Sequence, residues 1–355
     1  MRRLIHILSL CILVLSSCER RPLVDLSNTH YVRVYIDENI KNVTHGFYNE
    51  THNRPHYESP DVLRITLANP ETGLTKAERF LRNTGVDENG LYYDGYIIAD
   101  PGEYMLTAYN FDTESTIIDG MNNHWNMKAY TNEIASHLKT KIPSRSTKSP
   151  ETESESIVYD PDHLFATHCG RVVIPYSENL DTLRTPEGTH FRASSIVKSY
   201  YLQVRVKGIK YASSSVGLLT GMAGSAWVKD REMDEEHNVT VYFEMMPGEN
   251  PSAGITRTDE DTALIYTTFG TFGKLPSEDN ELEITFDFLT VYGKPYSETI
   301  DITGVFSTPE AKEHQWLLLD HVIAIPEPPP GTGSGSGGFQ PSVDKWSDVE
   351  SDIII

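Results

Sequence analysis

The chain contains 355 residues, with 51 acidic side chains against 30 basic ones and a formal net charge of −21. Nucleic-acid binding requires a basic surface, so this balance argues against a nucleic-acid partner and against adhesion to anionic membranes by charge. The length is sufficient for two domains, each with a proper hydrophobic core.

The N-terminus has the pattern of a cleaved targeting segment. Arg2 and Arg3 precede a mostly apolar run over residues 4–15, which has secretory length but is too short to span a bilayer. The run ends in LSSC, which resembles the bacterial lipobox, where cleavage precedes a lipid-carrying cysteine. The sequence therefore predicts a signal peptide over residues 1–17 and a lipid anchor on Cys18. An ordinary secretory signal followed by a chance cysteine is the alternative interpretation.

Cysteine usage argues against a disulfide framework. Of the three cysteines, Cys11 leaves with the signal peptide and Cys18 carries the lipid, so Cys169 alone remains. A single thiol of this kind is more often a small buried hydrophobe than a nucleophile. We therefore expect packing, not cross-linking, to stabilise the fold.

Apolar and polar residues alternate with period two along much of the chain, which predicts antiparallel strands with one buried and one wet face. The alternating stretches are YVRVYID (31–37), VLRITLA (62–68), GEYMLTAYNF (102–111), YYLQVRVKG (200–208), NVTVYFEMM (238–246) and ELEITFDFL (281–289). Turn signals rich in Pro and Gly separate them, and short strands at this spacing indicate β-sandwiches. The best helix candidate is the short, moderately periodic stretch 125–138.

The strand pattern stops and restarts, which predicts two domains. A Ser/Thr-rich segment without apolar periodicity predicts a disordered loop inside the first domain, and a Pro-rich then Gly/Ser-rich segment predicts a linker after the second. The predicted order is a tether (18–27), an N-terminal β-sandwich (28–178) with its loop at about 139–156, a C-terminal β-sandwich (190–326), a linker (327–342) and a C-terminal strand (343–355).

Two segments carry a family resemblance. GYIIADPGEYMLTAYNF (95–111) looks like a hairpin of the transthyretin-like Greek-key module. SVGLLTGMAGSAWV (215–228) is similar to a Gly-Met-rich segment in the second domain of Bacteroidota fimbrillin-type proteins. With the lipobox, the order of parts over residues 18–326 resembles that family of lipoprotein precursors, whose members supply shaft, anchor and tip subunits of surface fimbriae.

The resemblance implies an all-β fold of two tandem transthyretin-like Greek-key β-sandwiches with a flexible C-terminal tail. It also implies a structural role in fimbriae, with other fimbrial subunits as partners and the outer membrane reached through the lipid on Cys18. Assembly in the family proceeds by strand addition at open sheet edges. The resemblance thus implies a surface-exposed, lipid-anchored protein of the cell outer membrane that needs no cofactor and performs no catalysis.

Arginines bear on the type of subunit, because shaft members of the family are cut after an arginine near the first-domain strands. Arg20 and Arg21 adjoin the lipidated cysteine, Arg33 lies inside a predicted strand, and Arg145 lies in the mid-domain loop. None matches the usual cleavage region, so the sequence favours an anchor or accessory subunit over a shaft subunit.

The C-terminal stretch VDKWSDVESDIII (343–355) is long enough to form a strand. It has three interpretations: an edge strand folded back on its own second domain, a strand donated to a neighbouring subunit, or a segment that orders only on binding. Its candidate partner-binding residues are Trp346, Val349, Ile353 and Ile355.

Motifs of catalysis and metal binding are weak in this sequence. His163 and the His168-Cys169 pair match no common zinc spacing, and neither Asp160 and Asp162 nor the acidic run 259–261 has the spacing of a calcium loop. We therefore expect no metal site and no enzyme. The rival function is a surface glycan-binding lipoprotein, since 19 tyrosines and 4 tryptophans are available to form an aromatic platform.

Overall fold

The computed structural model describes residues 29–37, 43–45, 50–52, 59–110, 112–135, 142, 155–167, 170–174, 191–246, 253–258, 261–276 and 282–328. The first strands are β1 (Thr29–Asp37), β2 (Val43–His45), β3 (Glu50–His52), β4 (Leu63–Ala68), β5 (Thr75–Leu81), β6 (Asn83–Asp87), β7 (Gly90–Ile98), β8 (Gly102–Asn110), β9 (Thr116–Asp119), β10 (Lys128–Thr131), β11 (Ser156–Tyr159), β12 (Phe165–Thr167) and β13 (Gly170–Ile174). The later strands are β14 (Phe191–Ser195), β15 (Lys198–Lys207), β16 (Ala212–Ala223), β17 (Ser225–Trp227), β18 (Asn238–Glu244), β19 (Gly254–Arg257), β20 (Thr262–Thr271), β21 (Glu283–Thr290), β22 (Pro295–Asp301) and β23 (Trp316–Ala324). One α-helix, α1 (Pro309–His314), and 3-10 turns at His124–Asn126, Ile209–Tyr211 and Val305–Ser307 complete the described elements.

The predicted all-β class is confirmed, and so are the apolar faces of the predicted strands. The alternating apolar residues of β1, β4, β15, β18 and β21 are buried, and so are those of β8 except Tyr104, which is partly buried against the core. Their side chains build two separate cores, one for the sheets of each half of the chain. The transthyretin-like relationship stays a resemblance.

The N-terminal sheet has nine strands and rolls over on itself. Its strands follow the order β5-β4-β8-β12-β14-β1-β7-β6, with β13 paired to the first half of β8. Only Arg82 separates β5 from β6, although these strands lie at opposite ends of that order. The two ends of the sheet must therefore meet, and the rolled sheet encloses the first core.

The C-terminal half is a sandwich of two sheets. One has the order β11-β18-β16-β21-β22 and the other β19-β20-β15-β23. Aromatic side chains fill the space between them: Phe243 of β18 stacks on Phe269 of β20 with ring centroids 4.0 Å apart. Such stacked rings bury large apolar areas, which suits a core without cross-links.

The helix candidate over residues 125–138 is wrong for residues 125–135, which are the part that the structure describes. The chain forms a single 3-10 turn at His124–Asn126, capped by the Asn123 side chain, and then enters β10. β10 pairs with β9 on one side and β17 on the other, so strand pairing overrides the weak helical periodicity.

Several strands lack the wet face that the alternation predicted. The outward-facing Arg64 and Thr66 of β4 are buried, as is Gln203 of β15. Arg64 donates a hydrogen bond of 2.7 Å to the Tyr109 hydroxyl and pairs with Glu78. Period-two alternation identifies the more apolar face but does not reveal that residues of the other face are buried as well.

Two strands lie across the predicted domain division. β11 belongs by sequence to the first predicted domain, yet it pairs in parallel with β18 of the C-terminal sandwich. β14 belongs to the second, yet it pairs in parallel with β1 of the N-terminal sheet. The exact boundaries stay a prediction, but the chain exchanges one strand in each direction.

The predicted loop at about 139–156 also contains ordered contacts. Ile142 is buried against Ile134, Ile157 and Leu218, where it helps to cover the outer face of the five-stranded sheet. Near the end of the loop, the Glu155 carboxylate accepts hydrogen bonds from three partners: the side chains of Asn238 and Thr240 and the Gly221 amide. At these residues the expectation of disorder is wrong.

A joint connects the two halves. We use this name for the small sheet β17-β10-β9 and the apolar cluster beneath it. Because β10 and β17 come from different halves, backbone hydrogen bonds cross the division. The cluster also draws on both halves, and its buried members are Tyr109, Met127, Ala129, Leu164, Ala166, Ile196, Val197, Ala223, Ala226, Val228, Phe272 and Leu275.

A buried ion pair reinforces the joint. The Lys128 ammonium bonds to the Asp234 carboxylate, which also accepts a hydrogen bond of 3.0 Å from the Ser225 hydroxyl. Burial by itself raises the pKa of Asp234, but the bonds from Lys128, the Glu236 amide and Ser225 lower it below its ordinary value. Asp234 therefore stabilises the joint as a carboxylate.

The crossing segment between β11 and β12 contains two aspartates with opposite pKa shifts. Burial is the largest influence on each. It raises the pKa of Asp160 to about 7, with further like-charge contributions from Asp162 and Glu244. At Asp162 burial is outweighed by hydrogen bonds from Thr116 and its neighbours, which lower the pKa. Asp162 thus acts as a charged cap, whereas ionisation of Asp160 is unfavourable.

We predict that Lys128→Met lowers the free energy of unfolding by about 2 kcal/mol, because Asp234 would be left buried without its cation. Since the lowered pKa of Asp234 contributes stability that is lost as pH falls through the folded pKa, the deficit should be full at neutral pH and shrink in acid. Chemical denaturation at several pH values measures it. Lys229→Met is the matched control, because both ammonium groups lie over the Trp227 ring but only Lys128 bonds to Asp234. An equal loss in both variants would contradict the assignment.

We predict that Asp160→Asn becomes relatively more stabilising as pH rises. The folded pKa lies above the ordinary value, so ionising the wild-type carboxyl costs stability progressively above about pH 4 and fully above about pH 7. Asparagine cannot ionise and still accepts the bond from the Gly270 amide. The difference in melting temperature between variant and wild type should be several degrees larger at about pH 8 than at about pH 5. A difference that does not change with pH would refute the shifted pKa.

Candidate functional site: the open strand edges

Edge strands present unpaired backbone groups, so they are the first place to search for an assembly site in an all-β protein. Most edges here are short or blunted by Pro and charge. β11 and β19 have four residues each, and β22 begins with Pro295 and contains Glu298. Such features protect an edge against indiscriminate pairing.

The rolled N-terminal sheet has an opening between two edges. β6 pairs only with residues 90–94 of β7. The chain just before β6 is β5, which pairs with β4 in the other layer and therefore does not continue along β7. Within the described residues, no strand pairs with Gly95–Ile98 on the side away from β1, and none pairs with β5 on the side away from β4. The opening is therefore flanked by two free strand edges.

We call this opening the β5–β7 groove. It has a volume of about 510 Å³ and is lined by Thr29, Lys76, Ala77, Glu78, Arg79, Tyr96 and Ile98. Tyr96 is 59% exposed and Ile98 50% exposed, which is unusual for apolar side chains on a sheet. The Arg64 guanidinium pairs with Glu78, so Lys76 and Arg79 leave the β5 wall with a net positive charge. The groove thus combines free edges, apolar contact area and basic charge.

A ladder of tyrosine and charged side chains stiffens the other wall. Tyr31 packs edge-on against Tyr96, with ring centroids 5.5 Å apart, and its hydroxyl donates to Asp94 at 2.5 Å. The Arg33 guanidinium lies 3.8 Å from the Tyr92 ring centre and bonds to Asp94 at 3.5 Å. These contacts hold β7 against β1 while leaving its far edge open.

The pKa values in the ladder preserve its charges. Hydrogen bonding to Tyr35 is the largest cause that raises the pKa of Arg33, so the guanidinium stays charged. Burial, together with donation to Asp94, raises the pKa of Tyr31, so the hydroxyl stays a donor.

β23 offers a second edge, on the C-terminal sandwich. It has nine residues and ends four residues before Pro328, where the described chain stops. His321 bonds across the rim to Glu298 of β22, and Glu298 also accepts a bond of 2.8 Å from the Tyr296 hydroxyl. This polar bridge links the two edge strands, whereas β23 pairs with β15 only, within the described part of the chain.

The residues predicted to carry function from sequence lie outside the described residues. This holds for Cys18 and for Trp346, Val349, Ile353 and Ile355 of the C-terminal stretch. They remain predictions.

The candidate metal-binding residues lie in hydrogen-bonded surroundings where the structure describes them. His163 is half-buried, with its ring nitrogens 3.4 Å from the Ser195 hydroxyl and 3.3 Å from the Ser199 hydroxyl, and burial lowers its pKa. His168 and Cys169 lie outside the described residues.

One cluster of potential metal ligands was not noticed in the sequence. Oxygen and nitrogen atoms of Asp234, Glu236 and His237 lie within 4.8 Å of one another. The Lys128 ammonium already bonds to Asp234, so the buried member of the cluster has a cation as its partner.

The groove residues were also missed from sequence, although one signal was present. Tyr96, Ile97 and Ile98 are three consecutive apolar residues, which breaks the alternation of a half-wet strand. Ile97 faces the core, so its two neighbours must point outward. No helix among the described residues has the length and apolar character needed to cross a bilayer.

Comparison with known proteins gives the groove a context. A fimbrium anchoring subunit of Bacteroides ovatus, Fim4B, is 23% identical over 352 residues, which is 94% of this chain and 92% of that protein. The chain is therefore similar to a fimbrial anchoring protein over nearly its whole length. The resemblance to Bacteroidota fimbrillin-type proteins is thereby confirmed.

Further matches concern fold and family. A family model described as a domain of unknown function, DUF5119, matches residues 76–244, from β5 to β18. A crystal structure of an adhesin from Bacteroides ovatus shares the fold with a TM-score of 0.53 and 19% identity, over 88% of this chain and 98% of that one. The fimbrial anchor protein Mfa2 of Porphyromonas gingivalis matches with a TM-score of 0.42 and 11% identity, over 82% and 88% of the two chains.

Proposed function

We propose that this protein is a lipid-anchored structural subunit of surface fimbriae that joins its partners by β-strand addition. The observation that carries the proposal is the β5–β7 groove, where two free strand edges face each other. The name of the Fim4B relative supports the fimbrial setting. The protein acts through backbone pairing, without catalysis.

The groove suits an incoming extended strand. Main-chain groups of Gly95–Ile98 supply hydrogen bonds, and Tyr96 and Ile98 supply apolar contact for alternate side chains of the strand. Lys76 and Arg79 favour a strand with acidic side chains. Because β5 is charged, a strand that lacks such complementarity is disfavoured, which gives the edge specificity.

The C-terminal stretch 343–355 is the strand that this protein offers in turn. It contains four acidic residues and an apolar end, so it has the composition that a groove of this type favours. Trp346, Val349, Ile353 and Ile355 are its proposed contact residues. The short distance in sequence from Pro328 also allows it to cover the β23 edge of its own chain.

Attachment to the outer membrane is proposed to run through Cys18. Three acyl chains on one cysteine would hold the protein stably, since each buried methylene contributes about 0.8 kcal/mol. Thr29, the first residue of β1, lines the groove, so the segment that carries Cys18 is joined to the fold beside the proposed acceptor site. This arrangement favours an anchor or accessory subunit, in which the membrane attachment and the partner lie close together.

We predict that partner subunits co-purify with the wild-type protein from detergent-solubilised outer membranes and are lost with Tyr96→Glu/Ile98→Glu. Two glutamates would remove the apolar contact and repel an acidic incoming strand, so binding should fall at least tenfold. Both side chains are exposed, so the melting temperature should change little. Quantitative mass spectrometry of the eluates measures the loss.

Val173→Glu is the matched control, because Val173 is exposed on β13 and does not line the groove. A variant that lacks residues 343–355 tests donation separately from acceptance. Retention of all partners in the groove variant would refute the groove, and retention in the truncated protein would refute donation by the C-terminal stretch.

We predict that Cys18→Ser abolishes lipid labelling and releases the protein from the membrane fraction. Metabolic labelling with a radioactive fatty acid, followed by fractionation, measures both. Cys169→Ser is the control and should label normally. Persistent labelling in Cys18→Ser would show that the lipid is elsewhere, and an unlabelled wild type would leave the ordinary secretory signal as the correct interpretation.

A further inference from the structure

A second surface, separate from the strand edges, exposes a tryptophan. The turn between β4 and β5 (69–74) and the loop between β9 and β10 (120–127) lie side by side, joined by a bridge between Leu74 and Asn123. Leu74 is 50% exposed, Met121 39% and Trp125 37%. We call these two segments the Trp125 platform.

The platform is rigid. The Asn123 side chain accepts a hydrogen bond of 3.0 Å from the Trp125 amide, and the His124 amide donates to the Gly73 carbonyl at 2.8 Å. Gly73 has a φ of +72°, and a Cβ there would collide with the Trp125 ring. The turn therefore requires glycine both for its backbone and for the position of the indole.

His124 anchors the platform to the sheet below. Its ring is buried, and Nδ1 lies 2.8 Å from the Thr107 hydroxyl of β8. Burial lowers the pKa of His124, which keeps the ring neutral. Of these two adjacent aromatic side chains, His124 is buried, whereas Trp125 keeps about a third of its surface exposed, although exposing tryptophan is unfavourable by itself.

The charge of the platform restricts its ligand. In a chain of net charge −21, the two segments contain one charged side chain, Glu71, and no lysine or arginine. Lys229 and Asp230 lie near enough to act on His124, but their opposite charges offset each other. Neutral ligands are favoured.

The polar groups of the platform are amides. Asn122 and Asn126 are exposed, and no side-chain hydrogen bond engages their amide groups among the described residues. A carboxamide offers both donors and acceptors, which matches a ligand with neighbouring hydroxyl groups. An indole offers an apolar surface for the C–H face of a sugar ring. A rigid aromatic ring with two free amides is therefore suited to a neutral saccharide.

We propose that the Trp125 platform binds a neutral saccharide, with Trp125 stacking on the sugar ring and Asn122 and Asn126 bonding to its hydroxyls. This activity is independent of strand addition. It gives the subunit a lateral contact with glycans while the edges serve assembly.

Binding of the full-length, detergent-solubilised protein is measured on immobilised neutral oligosaccharides that end in glucose, galactose, mannose or N-acetylglucosamine. Sialylated and sulfated glycans serve as anionic probes. We expect at least one neutral glycan to bind, and Trp125→Ala and Asn126→Ala each to weaken it at least about tenfold. Leu289→Ala, an exposed apolar residue of the C-terminal sandwich, is the matched control and should bind normally.

The melting temperature of each variant shows whether the platform has kept its fold, and Trp125→Phe, which keeps an aromatic face, should retain part of the binding. Equal binding by Trp125→Ala, binding of the anionic glycans alone, or no binding of a neutral glycan at about 10 mM would each overturn the proposal. Loss of a co-purifying protein subunit in Trp125→Ala, without glycan binding by the wild type, would assign the platform to protein docking and overturn it as well.

Discussion

A single residue, Arg82, separates β5 from β6, and this connection determines the geometry of the N-terminal half. The same stretch of chain must pair with β4 in one layer and with β7 in the other. It cannot cover both strands along their full length, so residues 95–98 keep a free edge. Since a β-sheet satisfies its backbone groups only by pairing, an edge of this kind is covered by water or by another strand. The proposed assembly site follows directly from the crossing.

The joint connects the proposed assembly site to the C-terminal half of the protein. β10 pairs with β17 across the two halves, β11 and β14 are exchanged between them, and a buried apolar cluster lies beneath. Backbone pairing and burial resist separation more strongly than a flexible linker does. A force applied to the groove is therefore transmitted to the C-terminal sandwich through hydrogen-bonded strands.

The sequence revealed the fold class and the core because burial leaves a local period in the residue pattern. Ile65 is one of many core residues predicted correctly, whereas its neighbour Arg64 is buried beside Tyr109 and Glu78 of the adjacent strands, which no local pattern encodes. The helix expected from Trp125 onward failed because pairing with β17, about a hundred residues later, outweighs a weak period. The groove was missed for the same reason: it arises from a crossing at Arg82, not from a motif. The lipid on Cys18 and the C-terminal strand rest on sequence.

The most direct test of the account is hydrogen–deuterium exchange at β5 and at residues 95–98, measured on the isolated protein and on the protein bound to its co-purified partner. The account predicts rapid exchange of the outward-facing amides in the isolated protein, in contrast to the paired residues 90–94, and strong protection in the complex. Slow exchange of these amides in the isolated protein, or no gain in protection when the partner binds, would contradict strand addition at this groove.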